Sequence, residues 1–315
     1  MPMKKIRVLA LALVGLVFST APALGQASAA AGGSTASVNL ASVSAIAVDL
    51  ASGETLVDKH ADWQLPIASI TKLMTALVVL EAGQPLDESL TIVEREHEIF
   101  KNAYSRMRIG SALTRDQLLR IMLMSSENLA AHVLAVNHPG GRDGFIAAMN
   151  DRARALGMTR SRFVDPSGLS PENVSTASDL VRLLQATYRD PRIRAYSTTP
   201  SHSAHFTRPR YVLGYGNTNP LVSSGRWDVS ISKTGYLREA GRCLAMVTTI
   251  DGRTVAMVML DSFGTRTPLG DAARIRRWLS SGDTGSVAGA ALDYEQRRTL
   301  ERAGAQSDDY HRAAN

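Results

Sequence analysis

The chain has 315 residues, 44% of them hydrophobic and 20% charged, with one cysteine and a formal charge of +6. This composition supports a core of domain size and excludes both a disordered chain and a disulfide-stapled scaffold, because Cys243 has no intramolecular partner. Lys4, Lys5 and Arg7 fall in a segment expected to be removed, and without them the charge drops to +3. That excess suits an anionic polymer and does not demand a nucleic-acid partner.

Those three cations precede an apolar run, Val8 to Phe18, and then small residues from Ala21 to Ala29. This is the order of a signal peptide, with cleavage after Gly25 or Ala29. The run is shorter than the roughly 18 residues of a membrane span, which leaves an uncleaved anchor as the lesser alternative. Residues 1–29 are read as leader and cleavage region, and 30–44 as a linker. One domain is expected over 45–280, and residues 281–315 as a polar, mobile tail with at most a short helix from Tyr294 to Arg302.

Within the domain, Ala45 to Leu50 and Glu54 to Asp58 flank a Gly turn and read as a hairpin. An almost wholly apolar helix is predicted from Ser69 to Glu81, ending at Gly83 and buried in the centre of the fold. Thr114 to His138 opens on an N-cap pattern and carries apolar residues at helical spacing. Further helices are predicted over Gly144 to Leu156 and Leu180 to Tyr188, giving a helical lobe at about 84–200. Strands return at Val229 to Gly235, Cys243 to Ile250 and Thr254 to Leu260, the last two joined by the hairpin pair Asp251-Gly252. Gly270 to Leu279 then reads as an amphipathic helix, and Cys243 as a packed thiol within its strand. Strands at both ends with helices between them imply one mostly antiparallel sheet and an inserted helical lobe, an α+β arrangement with a cleft where the lobes meet.

Three short patterns fall in order: Ser69-Ile70-Thr71-Lys72, Ser126-Glu127-Asn128 and Lys233-Thr234-Gly235. Each alone is weak, since Ser230-Ile231-Ser232-Lys233 also fits the first and Ser37-Val38-Asn39 the second. Context separates them: on a helix, residues three apart share a face, whereas on a strand they point to opposite sides. Ser69 and Lys72 can therefore meet, while Ser230 and Lys233 cannot.

A serine hydroxyl is a feeble nucleophile until a base takes its proton, and a lysine is that base only when neutral. Burial would lower the Lys72 pKa, and so would a like charge, Lys233, across the cleft. A helix N-terminus adds positive potential and N–H donors at Ser69. Lys233 and Thr234 on an edge strand suit a substrate carboxylate, and Gly235 lets the substrate backbone approach closely.

The trio of patterns is one known for β-lactamases and penicillin-binding proteins. With Pro66 to Thr75, Leu123 to Asn128, Phe163 to Leu169, Asn217 to Leu221 and Ser232 to Tyr236, the chain resembles the low-molecular-mass penicillin-binding proteins over about Ala45 to Leu279. It looks most like their D-alanyl-D-alanine endopeptidase branch, related to the DD-carboxypeptidases. The resemblance implies a β-lactamase/transpeptidase-like α/β (α+β) fold and a periplasmic serine DD-peptidase acting on peptidoglycan stem peptides, with β-lactams as covalent inhibitors and no cofactor or metal. Carried over, Ser69 is the nucleophile, Lys72 its base, Ser126 a proton relay and Asn128 a holder of Lys72 and the substrate amide. Lys233 and Thr234 bind the carboxylate, Gly235 admits the substrate, and the N–H groups of Ser69 and Tyr236 hold the oxyanion. Arg266 stands where relatives have a carboxylate-binding arginine.

Glu127 in the second pattern, where carboxypeptidases resemble Ser-Gly-Asn, favours the endopeptidase branch. A tail too polar for their amphipathic membrane anchor points the same way. A class A β-lactamase would need a deacylating carboxylate; Glu172 is the nearest candidate, but the Glu-x-x-Leu-Asn pattern is absent. A carboxypeptidase and a non-catalytic wall-binding protein complete the alternatives. His97-Glu98 and the pair His202 and His205 lack metal-site spacing and read as surface histidines.

Overall fold

The computed structural model describes residues 38–95, 104–283 and 285–313, and the side chains of these as far as residue 304. The expected leader and His97 lie outside the described residues. The chain opens on strands β1 (Ser42–Asp49) and β2 (Thr55–Lys59), turning at Gly53 with φ of 76°, and a short β3 (Leu65–Pro66). Strand β1 starts inside the expected linker, because Asp271 accepts from the Ala41 and Ser42 N–H groups and clamps this segment to the domain. A 3₁₀ turn, Ala68–Thr71, then leads into α1 (Lys72–Glu81), which is buried over Lys72 to Leu80.

Strands β4 (Ser89–Thr91) and β5 (Ala112–Thr114) form a small ribbon before α2 (Arg115–Met124), capped by Thr114 as its sequence indicates. Helices α3 (Asn128–Val136) and α4 (Gly141–Ala155), strand β6 (Val174–Ser175) and helices α5 (Ala177–Tyr188) and α6 (Pro191–Ser197) complete the helical lobe. Besides the short strands β4, β5 and β6, the helix α6 and the hairpin of β7 (Ser201–Phe206) with β8 (Tyr211–Gly216) have no counterpart among the expected elements. After a one-turn α7 (Pro220–Ser223), the chain runs through β9 (Val229–Leu237), β10 (Gly241–Ile250) and β11 (Arg253–Ser262). Helices α8 (Thr267–Ser281) and α9 (Gly289–Ala313) end it.

The main sheet is antiparallel in the order β2-β1-β11-β10-β9. Its central strands are apolar on both faces because both are covered, and the period of two sorts the residues. Ile46, Val48, Ala245, Val247 and Val258 face α1 and the helical lobe, whereas Ala47, Met246, Met257 and Met259 meet Ile275 and its neighbours on α8. Strand β9 is left at the edge, where one side faces the lobe.

The expected mobile tail is instead the helix α9, held by a charge that must be met. Asp261 is fully buried with φ of 53°. Its carboxylate accepts from Tyr294 Oη at 2.6 Å and from Arg298 Nη2 at 2.8 Å. Arg298 and Arg302 also donate to Glu239 O in the β9–β10 turn, and Glu295 pairs with Lys59 at 3.0 Å. The polar composition that suggested a tail is a set of partners for buried polar groups.

Candidate active site

The first pattern folds more tightly than a regular helix. Ala68 has φ of 47°, and the turn from Ala68 to Thr71 is 3₁₀, so α1 begins only at Lys72. With three residues per turn, the side chains of Ser69 and Lys72 eclipse. Lys72 Nζ lies 2.9 Å from Ser69 Oγ.

The second pattern forms at a break between two helices. Ser126 has φ of 61°, which ends α2, and Glu127 caps α3 by accepting from the Leu129 N–H. Asn128, the first residue of α3, accepts from Lys72 Nζ at 2.7 Å through Oδ1. Ser126 lines the cleft alongside it.

A third contact of Lys72 comes from a loop. Asp165 accepts from the N–H groups of Ser167, Gly168 and Ser170, curling the chain so that Ser167 O receives Lys72 Nζ at 2.5 Å and Pro166 O receives Thr75 Oγ1 at 2.6 Å. Asn173 fastens the same loop to Thr71. Gly168, with φ of 79°, packs so closely that a Cβ there would stand 1.9 Å from Ala68 O.

Lys72 is fully buried, and burial lowers its pKa to about 7, against the opposing pull of the Asp165 and Glu127 carboxylates. A neutral amine has two N–H bonds and one lone pair. Asn128 Oδ1 and Ser167 O can only accept, so they take the two hydrogens and the lone pair faces the Ser69 hydroxyl. The arrangement sets a basic lone pair on the Ser69 hydroxyl.

Across the cleft, Lys233 is 1% exposed and donates to Thr234 O at 2.8 Å. Burial and then the Lys72 charge hold its pKa well below the ordinary lysine value. The like-charge effect expected on Lys72 therefore falls on Lys233, while burial dominates for both amines. Thr234 Oγ1 meets Thr218 Oγ1 at 2.7 Å, and Thr218 is set by its N–H to Met124 O. A Cβ on Gly235 would lie 3.1 Å from the Ser69 nitrogen, tighter than ordinary contact, so glycine eases the close approach of the edge strand to Ser69.

Ser69, Ser126, Asn128, Thr234, Gly235 and Tyr236 line one cleft of about 420 Å³. Residues 30–264 match the family described as D-alanyl-D-alanine carboxypeptidase. The chain belongs to this family. As a serine DD-peptidase it is 45% identical to a D-alanyl-D-alanine endopeptidase of Pseudomonas aeruginosa over 94% of this chain and 96% of that one. With a D-alanyl-D-alanine endopeptidase of Escherichia coli the identity is 44%, over 97% and 98%. The crystal structure of the Streptomyces K15 DD-transpeptidase superposes with a TM-score of 0.70 at 28% identity, covering 77% of this chain and 98% of that one. Penicillin-binding protein D2 of Listeria monocytogenes, in its ampicillin-bound form, gives 0.66 at 28%, covering 75% and 96%. These neighbours share the antiparallel sheet flanked by helices.

One feature of this DD-peptidase differs from what its sequence indicates: the arginine at the cleft. Arg266 is exposed at the start of α8 and does not line the cleft. The arginine that does is Arg242, opposite Tyr236 across the β9–β10 ladder, with its guanidinium 3.9 Å from the centre of that ring. Glu172 pairs with Arg162 at 3.0 Å in an exposed position and also lies off the cleft. Cys243 is buried and its thiol is pushed up to about 12 by burial, as befits a packed side chain. The contributions of Ser167 O and Thr218 have no signal in the three patterns. Their signal lies in Phe163 to Leu169 and Asn217 to Leu221, two of the runs that carry the resemblance.

Proposed function

We propose that the chain is a periplasmic DD-endopeptidase that cuts D-alanyl-to-diaminopimelate crosslinks of peptidoglycan through an acyl-enzyme on Ser69. The observation that carries the catalytic assignment is the Lys72 amine, lowered to about 7 and aimed at the Ser69 hydroxyl. In this reading Lys72 takes the proton as Ser69 Oγ attacks the D-alanyl carbonyl carbon. The N–H groups of Ser69 and Tyr236 receive the developing oxyanion. As the tetrahedral intermediate collapses, the proton passes from Lys72 through Ser126 to the departing amine. Water, deprotonated by the again neutral Lys72, then releases the acyl group and restores Ser69.

Lys233, Thr234 and Arg242 hold the carboxylate beside the departing nitrogen, with Arg242 in the role expected of Arg266. The endopeptidase branch is favoured by identity, 45% and 44% to two endopeptidases against 28% to the Escherichia coli carboxypeptidase DacA. Among the described residues no helix is long and apolar enough to cross a membrane. The charged, apolar and small-residue order of residues 1–29 supports export, and the ampicillin-bound Listeria relative supports β-lactams as covalent inhibitors.

The test is digestion of crosslinked peptidoglycan followed by separation of the products. Conversion of crosslinked dimers to monomers is expected; release of free D-alanine alone would make the protein a carboxypeptidase. Ser69→Ala should abolish cleavage and penicillin labelling together, and labelling that persists would remove Ser69 from its role.

A further inference from the structure

We propose that the exposed arginine-bearing surface formed by the β7–β8 turn and by residues 104–110, which pack against the tyrosine side of β8, is a docking surface for the carboxylate-bearing stem peptides of the wall polymer, separate from the cleft. The proposal rests on the endopeptidase reading for the identity of that polymer. Four arginines, Arg106, Arg108, Arg208 and Arg210, are exposed on this surface. Neither residues 104–114 nor residues 201–220 contain an aspartate or glutamate. None of the four arginines forms an ion pair among the described residues. An uncompensated cluster of this size repels itself and is relieved by an anionic ligand.

The arginines along the strand are also oriented. The Arg106 guanidinium stacks 5.0 Å from the centre of the Tyr215 ring and donates to Gly214 O, while Arg108 stacks 4.7 Å from that of Tyr211. Tyr211 Oη in turn accepts from the Arg108 N–H at 2.9 Å. Tyr211 and Tyr215 lie on the same side of β8, roughly 13 Å apart at strand spacing. Arg208 and Arg210 extend the row around the hairpin turn between Phe206 and Tyr211. Fixed in this way, the guanidiniums lose less side-chain freedom on binding carboxylates than free arginines would.

Placement links the row to the cleft. Strand β8 runs directly into Asn217 and Thr218, and Thr218 touches Thr234 in the cleft. The row therefore leads away from the scissile bond over a distance that one dipeptide cannot span. A polymer with repeated carboxylates spans it, and each exposed pair adds modestly to a multivalent whole.

The experiment is co-sedimentation with insoluble peptidoglycan, using the quadruple variant R106Q/R108Q/R208Q/R210Q. Its binding is expected to be about tenfold weaker than that of the unmodified protein. Its rate of labelling by fluorescent penicillin and its thermal midpoint should be unchanged. Unmodified protein should also release from the wall as salt rises, and bind poorly to peptidoglycan whose carboxylates have been amidated. Undiminished sedimentation of the variant, or equal binding to amidated wall, would overturn the proposal. So would stronger binding of unmodified protein to vesicles of anionic phospholipid than to peptidoglycan. If crosslink cleavage is absent while arginine-dependent sedimentation stands, the function assigned to the cleft fails and the docking surface does not.

Discussion

The proposed mechanism makes the rate of acylation a titration curve of the Lys72 amine, whose position comes from the structure. In that mechanism Lys72 serves as the base only when neutral, and burial lowers its pKa to about 7. The neutral fraction is then about nine-tenths at pH 8 and about one-tenth at pH 6, so the acylation rate should fall about tenfold between them. Glu127 supplies a second handle, because its carboxylate raises the Lys72 pKa while its Oε1 caps α3 through the Leu129 N–H. Glu127→Gln keeps an oxygen for the cap and removes the charge, so the acid limb should move to lower pH, leaving the protein faster than the parent at pH 6. The assay is stopped-flow acylation by a fluorescent penicillin from pH 5.5 to 8.5, with the thermal midpoint checked at each end. A rate that is flat across this range, or a limb that moves to higher pH in Glu127→Gln, would refute the neutral-lysine argument.

Gly168→Ala places a methyl group against Ala68 O at a positive φ. It should cost about 3 kcal/mol or more in chemical denaturation and slow acylation by shifting the turn that bears Ser69. Arg298→Ala strips the main partner from buried Asp261 and should destabilise the fold by about 3 kcal/mol, since Tyr294 and Arg302 remain. Urea unfolding reads the loss, and an unchanged midpoint would mean that α9 is not needed to neutralise Asp261. Arg242→Gln should raise KM for a peptide substrate with little change in kcat, whereas Arg266→Gln should change neither; steady-state hydrolysis distinguishes the two arginines.

What could be read in advance divides by the kind of signal a residue leaves. Asp251-Gly252 adopts positive φ at both positions, the geometry its hairpin signature requires, and the N-cap at Thr114 lies where its pattern put it. Ser69 and Lys72 share a face because the spacing of three survives the change from α to 3₁₀. By contrast, Ser167 meets Lys72 through a backbone carbonyl, which any residue could supply, and only the Asp165 turn aims it. Arg242 was hidden among many arginines; it acquires meaning only when the β9–β10 register sets it opposite Tyr236. Helix α9 was misread because composition reports polarity and not the buried carboxylate that polarity answers.

The strand pairing also fixes when in synthesis the sheet can be completed. Strand β1 lies between β2 and β11, so the sheet closes only after nearly the whole polypeptide has been made. A chain that ends before β11 carries Ser69, Lys72 and even the edge strand β9, but has nothing to join β1 to β10. Union of the two ends of the chain in one sheet therefore waits for β11, and an interrupted translation product cannot bring its N-terminal strands to the edge strand β9.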